Sequence, residues 1–332
     1  MTPNSSSQKL SAIESAVAAT PTFKRREKPK TAKDAINLVI VGHVDAGKST
    51  LMGHLLYQLD CVDQKTLNPG FSKVTFVPVS GLTGDNLAKP VKDGHPLKSY
   101  YNGPSLVEAL EKLSTPERPE NLPLRIVVND VLKQTANLIS LSCKIEAGHV
   151  EAGDKVFLMP RADPATVKSV CIDDSSATGP PNASNSSEIC FAGDQILISL
   201  SGSFENDSIG PGFVICRGGP DCLVPCRKYD VRLVVFDILM PIIRGTKVEL
   251  FAHSMCAPCT ISQLKCTLNK ANGEVLKQKP RHLMKNSSAL VQITTDYPVN
   301  LEAYAKCKAL GRITLRSGGQ TIAAGIVDEA YP

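Results

Sequence analysis

Tryptophan is absent from this 332-residue sequence, aromatic residues make up only 5% of it, and no stretch approaches the roughly 18 uninterrupted apolar residues of a membrane helix. The densest apolar run, 231–243, is broken by Asp237 and Pro241. Residues 1–9 are polar and lack the apolar segment of a secretory signal. These absences point to a cytoplasmic chain without membrane contact. In that compartment the 11 Cys, odd in number and irregularly spaced, read as reduced, buried thiols rather than as a disulfide framework. A hydrophobic content of 42% with 21% charged residues excludes a disordered, collagenous or coiled-coil chain. The length suits two or three domains at roughly 150 residues each.

What is present divides by position. Residues 1–35, rich in Ser, Thr and Lys, carry the basic run Lys24-Arg25-Arg26-Glu27-Lys28-Pro29-Lys30 without apolar periodicity, and read as a disordered basic arm. Over 36–120 the pattern is α/β. Ile36–Val41 is a short, nearly continuous apolar run of the kind buried on both faces of a parallel sheet. A helix-compatible stretch follows at Lys48–Leu59, another short strand is expected at Val74–Val79, and Leu106, Ala109, Leu110 and Leu113 have helical spacing. From Pro123 the pattern becomes all-β. Short strands at Arg125–Leu132, Ile139–Ile145, Lys155–Met159, Ala165–Ile172, Gln195–Leu200 and Gly212–Ile215 predict a small barrel over 121–226, interrupted by a polar low-complexity loop at Asp173–Glu188. A second series, at Lys228–Phe236, Thr246–Ala252, Thr260–Leu268, Ala289–Thr295, Gly311–Ser317 and Thr321–Val327, predicts another barrel over 227–332. Charge changes at that boundary: 121–226 holds seven basic and twelve acidic residues, 227–332 fifteen and eight. A basic last third suggests an anionic partner such as RNA, and a solvated surface is the plainer alternative.

The sharpest local signal is Gly42-His43-Val44-Asp45-Ala46-Gly47-Lys48-Ser49, a G-x-x-x-x-G-K-[ST] pattern between an expected strand and an expected helix. Its glycines let successive backbone N–H groups turn inward around phosphates. Lys48 would reach the terminal phosphates and the Ser49 hydroxyl would ligate Mg²⁺. The segment Val41–His54 resembles the phosphate loop of translational GTPases of the elongation factor 1-alpha group, as does the order of one α/β domain and two barrels. Ala46, the continuation 51–57 (Leu-Met-Gly-His-Leu-Leu-Tyr) and Thr321-Ile322-Ala323-Ala324-Gly325 are most similar to the Hbs-type ribosome-rescue GTPase, the partner of Pelota, with the release-factor-three type second. Residues 312–320 resemble the last-barrel signature of the whole group, and Ser80-Gly81-Leu82 resembles its guanine-contacting loop. The resemblance implies a multidomain fold, a truncated α/β P-loop remnant followed by two β-barrels equivalent to translation-factor domain 2 and the C-terminal domain. It implies GTP/GDP and Mg²⁺ at His43, Val44, Asp45, Ala46, Gly47, Lys48, Ser49, Thr50, Ser80, Gly81 and Leu82. It also implies a Pelota-like tRNA-mimic protein and the ribosome as partners of a monomeric rescue factor. A release-factor-three-type termination GTPase is the alternative within the group.

The nucleotide domain is short for that role. Ser80 stands only 32 residues beyond Lys48, room for about one strand–helix–strand unit. No Asn-Lys-x-Asp occurs; Asn269-Lys270-Ala271-Asn272 lacks the Asp and falls in the last barrel. The one Asp-x-x-Gly, 207–210, falls in the first barrel. The family's second-switch His has no counterpart, and the resemblance breaks between Leu67 and Gly70. Phosphoryl transfer requires metal, water and terminal phosphate to be positioned together, so weak or no GTP hydrolysis is expected. From a different class, the chain reads as a non-catalytic partner- or ribosome-binding module, a decoy or regulator. Two further groups stand out. Cys256-Ala257-Pro258-Cys259 lies near Cys216, Cys222 and Cys226, a weak zinc pattern for want of a second C-x-x-C. The run 277–285 places Lys277, Lys279, Arg281, His282 and Lys285 together, as expected of RNA contacts in the last barrel.

Overall fold

The computed structural model describes residues 40, 48, 51, 76–113, 118–135, 137–173, 189–204, 209–238, 240–269 and 273–331. They fall into two compact units, the first comprising the described residues up to Leu113 and the second those from Arg118 onward. The basic arm, nearly all of the expected strand Ile36–Val41, and residues 174–188 of the low-complexity loop lie outside the described residues.

In the first unit, a turn-rich segment leads to the helix α1 (Leu106–Glu111). Its start is fixed by a capping box: Ser105 Oγ accepts from Glu108 N–H at 3.4 Å, and Glu108 Oε2 accepts from Ser105 N–H at 3.1 Å. Leu106 and Val107 donate their free N–H groups to the Asn86 and Leu87 carbonyls, so α1 is tied to the loop that carries Ser80–Leu82. Phe76–Val79, the described end of the strand expected at Val74–Val79, is not a strand. A strand needs a hydrogen-bonded neighbour, and no described segment is paired with it.

The second unit holds two closed barrels. The first is built from β1 (Arg125–Gln134), β2 (Leu138–Ala147), β4 (Lys155–Met159), β5 (Asp163–Ile172), β7 (Gln195–Gly202) and β8 (Val214–Cys216), in the spatial order β1-β2-β7-β5-β4-β8 with β8 returning to β1. A small ribbon, β3 (His149–Glu151) with β6 (Ile189–Phe191), accompanies it. Alternation explains the closure. In β2 the residues Ile139, Leu141, Cys143 and Ile145 all point inward and are fully buried, while the intervening side chains face out. At roughly 1.5–3 kcal/mol for each buried aliphatic side chain, this shared interior fixes the register, because a one-residue slip would turn every one of these side chains outward.

The second barrel uses β9 (Cys226–Val235), β11 (Lys247–Ala252), β12 (Met255–Leu268), β15 (Ser288–Val299), β16 (Arg312–Ser317) and β17 (Gln320–Tyr331). Their order is β11-β16-β17-β9-β15-β12, and β12 pairs back to β11. Gly325, in the segment that resembles the family, is required by close approach: a Cβ there would stand 2.1 Å from the Arg232 carbonyl oxygen of neighbouring β9. Two elements lie outside the closed ring. The pair β10 (Ile242–Ile243) and β14 (His282–Leu283) forms one, and β13 (Val275–Gln278), an exposed strand hung on the end of β12, forms the other.

The barrels are joined by a mixed interface. Val127, Met159, Val214, Cys216, Cys222 and Leu223 cluster with Cys307 and Leu310 of the second barrel. Asn300 donates through Nδ2 to the carbonyls of Met159 and Gly212 at 2.8 and 3.2 Å, and Ser254 Oγ donates to Asn129 Oδ1 at 2.7 Å. Arg125 makes a two-pronged pair with Glu302, Nε to Oε2 and Nη2 to Oε1, both at 2.7 Å. No helix among the described residues is long and apolar enough to cross a membrane.

Candidate functional site

Of the residues expected around a nucleotide, His43–Gly47, Ser49 and Thr50 lie outside the described residues. Lys48 and Leu51 are helical, in line with the helix expected from Lys48. The Ser80–Leu82 turn lies against that helix: a Cβ on Gly81 would meet Leu51 N at 3.0 Å and Leu51 Cα at 3.1 Å. Only glycine allows a turn to approach helix backbone so closely. Ser80 N–H donates to the Asp85 carbonyl at 3.1 Å, Gly84 N–H donates to the Ser80 carbonyl at 2.9 Å, and Ser80 Oγ accepts from Thr83 N–H at 3.2 Å. Asn86, buried with φ at 58°, closes the turn by donating from Nδ2 to the Pro78 carbonyl at 2.9 Å. The Leu82 side chain is 81% exposed.

The basic run lies on the second barrel's projecting part. Lys277 belongs to β13, all four residues of which are exposed. Lys279 turns the chain with φ at 44°, and Arg281 is exposed beside β14. Lys285 faces Asp237 at 3.3 Å with both side chains largely in water, an ion pair worth about 0–1 kcal/mol. The strand β13 thus brings Lys277, Lys279 and Arg281 to one edge, a placement that sequence spacing alone did not settle.

The cysteines divide by the pleat. Cys256 and Cys259 both lie within β12, where Cys256 points to solvent and Cys259 is buried. Residues three apart on a strand face opposite ways, so this C-x-x-C cannot close on one metal. Among the described residues no group of three or more His, Cys, Asp or Glu side chains is arranged to hold a metal ion. The Arg125–Glu302 pair was not legible in the sequence. Its guanidinium is buried, which by itself lowers the pKa, but the hydrogen bonds and charge of Glu302 outweigh that and the net shift is upward. His253, at the same junction, has its pKa lowered chiefly by burial, and its Nε2 lies 3.2 Å from the Asn300 carbonyl.

Known proteins resemble this chain in sequence and in fold. Residues 33–75 match the elongation factor Tu GTP binding domain, and 228–328 match the GTP-eEF1A C-terminal domain-like family. The chain is 35% identical to Protein HBS1 of Drosophila melanogaster over 257 residues, 77% of this chain and 36% of that protein. It is 33% identical to elongation factor 1-alpha of Thermoplasma volcanium, again over 77% of this chain and over 57% of that one. The structure of sup35 complexed with GDP superposes with a TM-score of 0.56 at 23% identity, covering 79% of this chain and 60% of sup35, a likeness of fold. The chain therefore spans about a third to three fifths of these relatives. Two closed barrels and a shortened nucleotide domain, together with these matches, are what the chain shares with the translational GTPases of the elongation factor 1-alpha and HBS1 family.

Proposed function

We propose that this chain is a ribosome-rescue factor whose two barrels engage a tRNA-shaped, Pelota-like protein and the ribosome, while its remnant nucleotide domain cradles GTP without turning it over. The observation that carries this reading is the contrast between completeness and deficit. Both barrels close and share a buried junction, whereas the 32 residues from Lys48 to Ser80 hold about one crossover. In the cradle, Lys48 would neutralise terminal phosphates, Ser49 would hold Mg²⁺ and the Ser80–Leu82 backbone would meet the base. The metal's chemistry when bound is to offset phosphate charge. Lys277, Lys279 and Arg281 on the β13 edge are the proposed contacts to RNA phosphates. In this proposal the remnant occupies 36–120 and the barrels 121–226 and 227–332, and the protein works as a cytoplasmic monomer.

The same deficit favours a second reading, a partner-binding module that uses no nucleotide. Calorimetric titration separates them. Submicromolar, Mg²⁺-dependent GTP binding that Lys48→Ala abolishes supports the first reading; binding of the tRNA-shaped partner by a chain that ignores GTP supports the second.

A further inference from the structure

At the barrel junction, β8 ends in Cys216, and the turn that follows brings Cys222 back to it. The two sulfurs lie 3.8 Å apart, while a disulfide needs about 2.05 Å. Closing that gap takes a movement of roughly 2 Å. Gly219, with φ at 99°, and the bond from Cys222 N–H to the Gly219 carbonyl at 3.0 Å set the turn that faces the thiols toward each other. Cys222 also lines a cavity of about 300 Å³ between the barrels, together with Arg125, Asp221, Glu302, Lys306 and Cys307. Small polar solutes can therefore reach Cys222, with Cys216 fully buried behind it.

We propose that Cys216 and Cys222 form a thiol pair that hydrogen peroxide or an organic hydroperoxide converts to a reversible disulfide at the barrel junction. One thiol attacks a peroxide oxygen, becomes a sulfenic acid and releases water (or an alcohol). The second sulfur then displaces water from the sulfenic sulfur, forming the S–S bond. The peroxide gains two electrons, one from each sulfur, and both thiol protons leave in the products. The two thiols differ in acidity. Hydrogen bonding from Cys222 lowers the Cys216 pKa, opposed by burial and helped by the Arg125 charge; the same bond and burial raise that of Cys222. Cys216 is thus the more acidic thiol of the pair. The other junction thiol, Cys307, has its pKa raised by burial.

The consequence is local to the joint. The Asp221 carbonyl, inside the loop the disulfide would close, accepts from Arg125 Nη2 at 2.9 Å. Cross-linking Cys216 to Cys222 therefore fixes the turn that supports the Arg125–Glu302 pair.

The test is peptide mapping of the full chain after mild peroxide treatment, with free thiols alkylated and circular dichroism recorded in parallel. Trypsin cuts after Arg217, so the peptides bearing Cys216 and Cys222 remain joined only through a disulfide. The expected result is that linked pair, two alkylatable thiols lost and regained with dithiothreitol, and a Tm raised by roughly 4–8 °C. Cys222→Ser should abolish the link and the Tm rise. Both thiols remaining alkylatable, pairing of either with Cys226 or Cys307, or a link that appears only after the dichroism of the fold is lost would overturn the proposal.

Discussion

Glu302→Ala should be the most damaging single change at the barrel junction. The Glu302 side chain is 12% exposed and that of Arg125 6%, and they are joined by two hydrogen bonds of 2.7 Å. Arg125 also donates to the carbonyls of Leu124 and Asp221 at 2.9 Å each, so it cannot swing out to water without losing further partners. Each charge-assisted bond is worth about 1.5–3 kcal/mol net, and stranding a buried charge costs about 3–5 kcal/mol in comparable sites. The expected loss is thus about 3–5 kcal/mol by urea denaturation of the full chain. Replacing both partners, Arg125→Met with Glu302→Leu, should restore much of it, because no charge is then left buried and unpaired; the coupling expected is about 2–3 kcal/mol. A loss below about 1 kcal/mol for Glu302→Ala, or additive single and double variants, would refute the reasoning that this pair locks the barrels.

Other outcomes follow from the same geometry. Gly325→Ala should destabilise the second barrel by about 2 kcal/mol or more in thermal melts, since its Cβ would meet the Arg232 carbonyl at 2.1 Å. Lys279→Glu with Arg281→Glu should weaken sedimentation with ribosomes and flatten its salt dependence by about two units of slope; unchanged sedimentation would remove these residues from the interface. His253, its pKa lowered by burial, is held neutral when folded and takes up a proton more readily when unfolded. Its contribution to stability is therefore complete above pH 6.5 or so, and is lost as pH falls from there through its folded value. His253→Gln should flatten that acid limb in pH-dependent melts, and an unchanged limb would argue against it.

The barrels were legible because their strands alternate. Ile139, Leu141, Cys143 and Ile145 alternate with polar or smaller residues in the sequence and point inward in the structure. Failures fell where that signal is missing. Strand β13, Val-Leu-Lys-Gln, has no buried face and so no periodicity to read. Strand β12 was expected from Thr260 but begins at Met255, because Pro258 argues against a strand interior. Pairing with β15 reaches only as far as Cys259, leaving Pro258 paired with β11 alone, which is where proline is tolerated. The Gly42–Ser49 pattern stands out as a motif in the sequence, and all of it but Lys48 lies outside the described residues. The Gly81 approach to Leu51 and the Arg125–Glu302 lock depend on residues far apart in the chain, and no local pattern encodes them.

In the proposed function the barrels act while the nucleotide domain does not turn GTP over. It is tested most directly by measuring phosphate release from GTP by the full chain while it is bound to ribosomes and a tRNA-shaped partner. The complex is expected to form, with phosphate release no greater than that of Lys48→Ala. Release well above that control, abolished by the substitution, would contradict it.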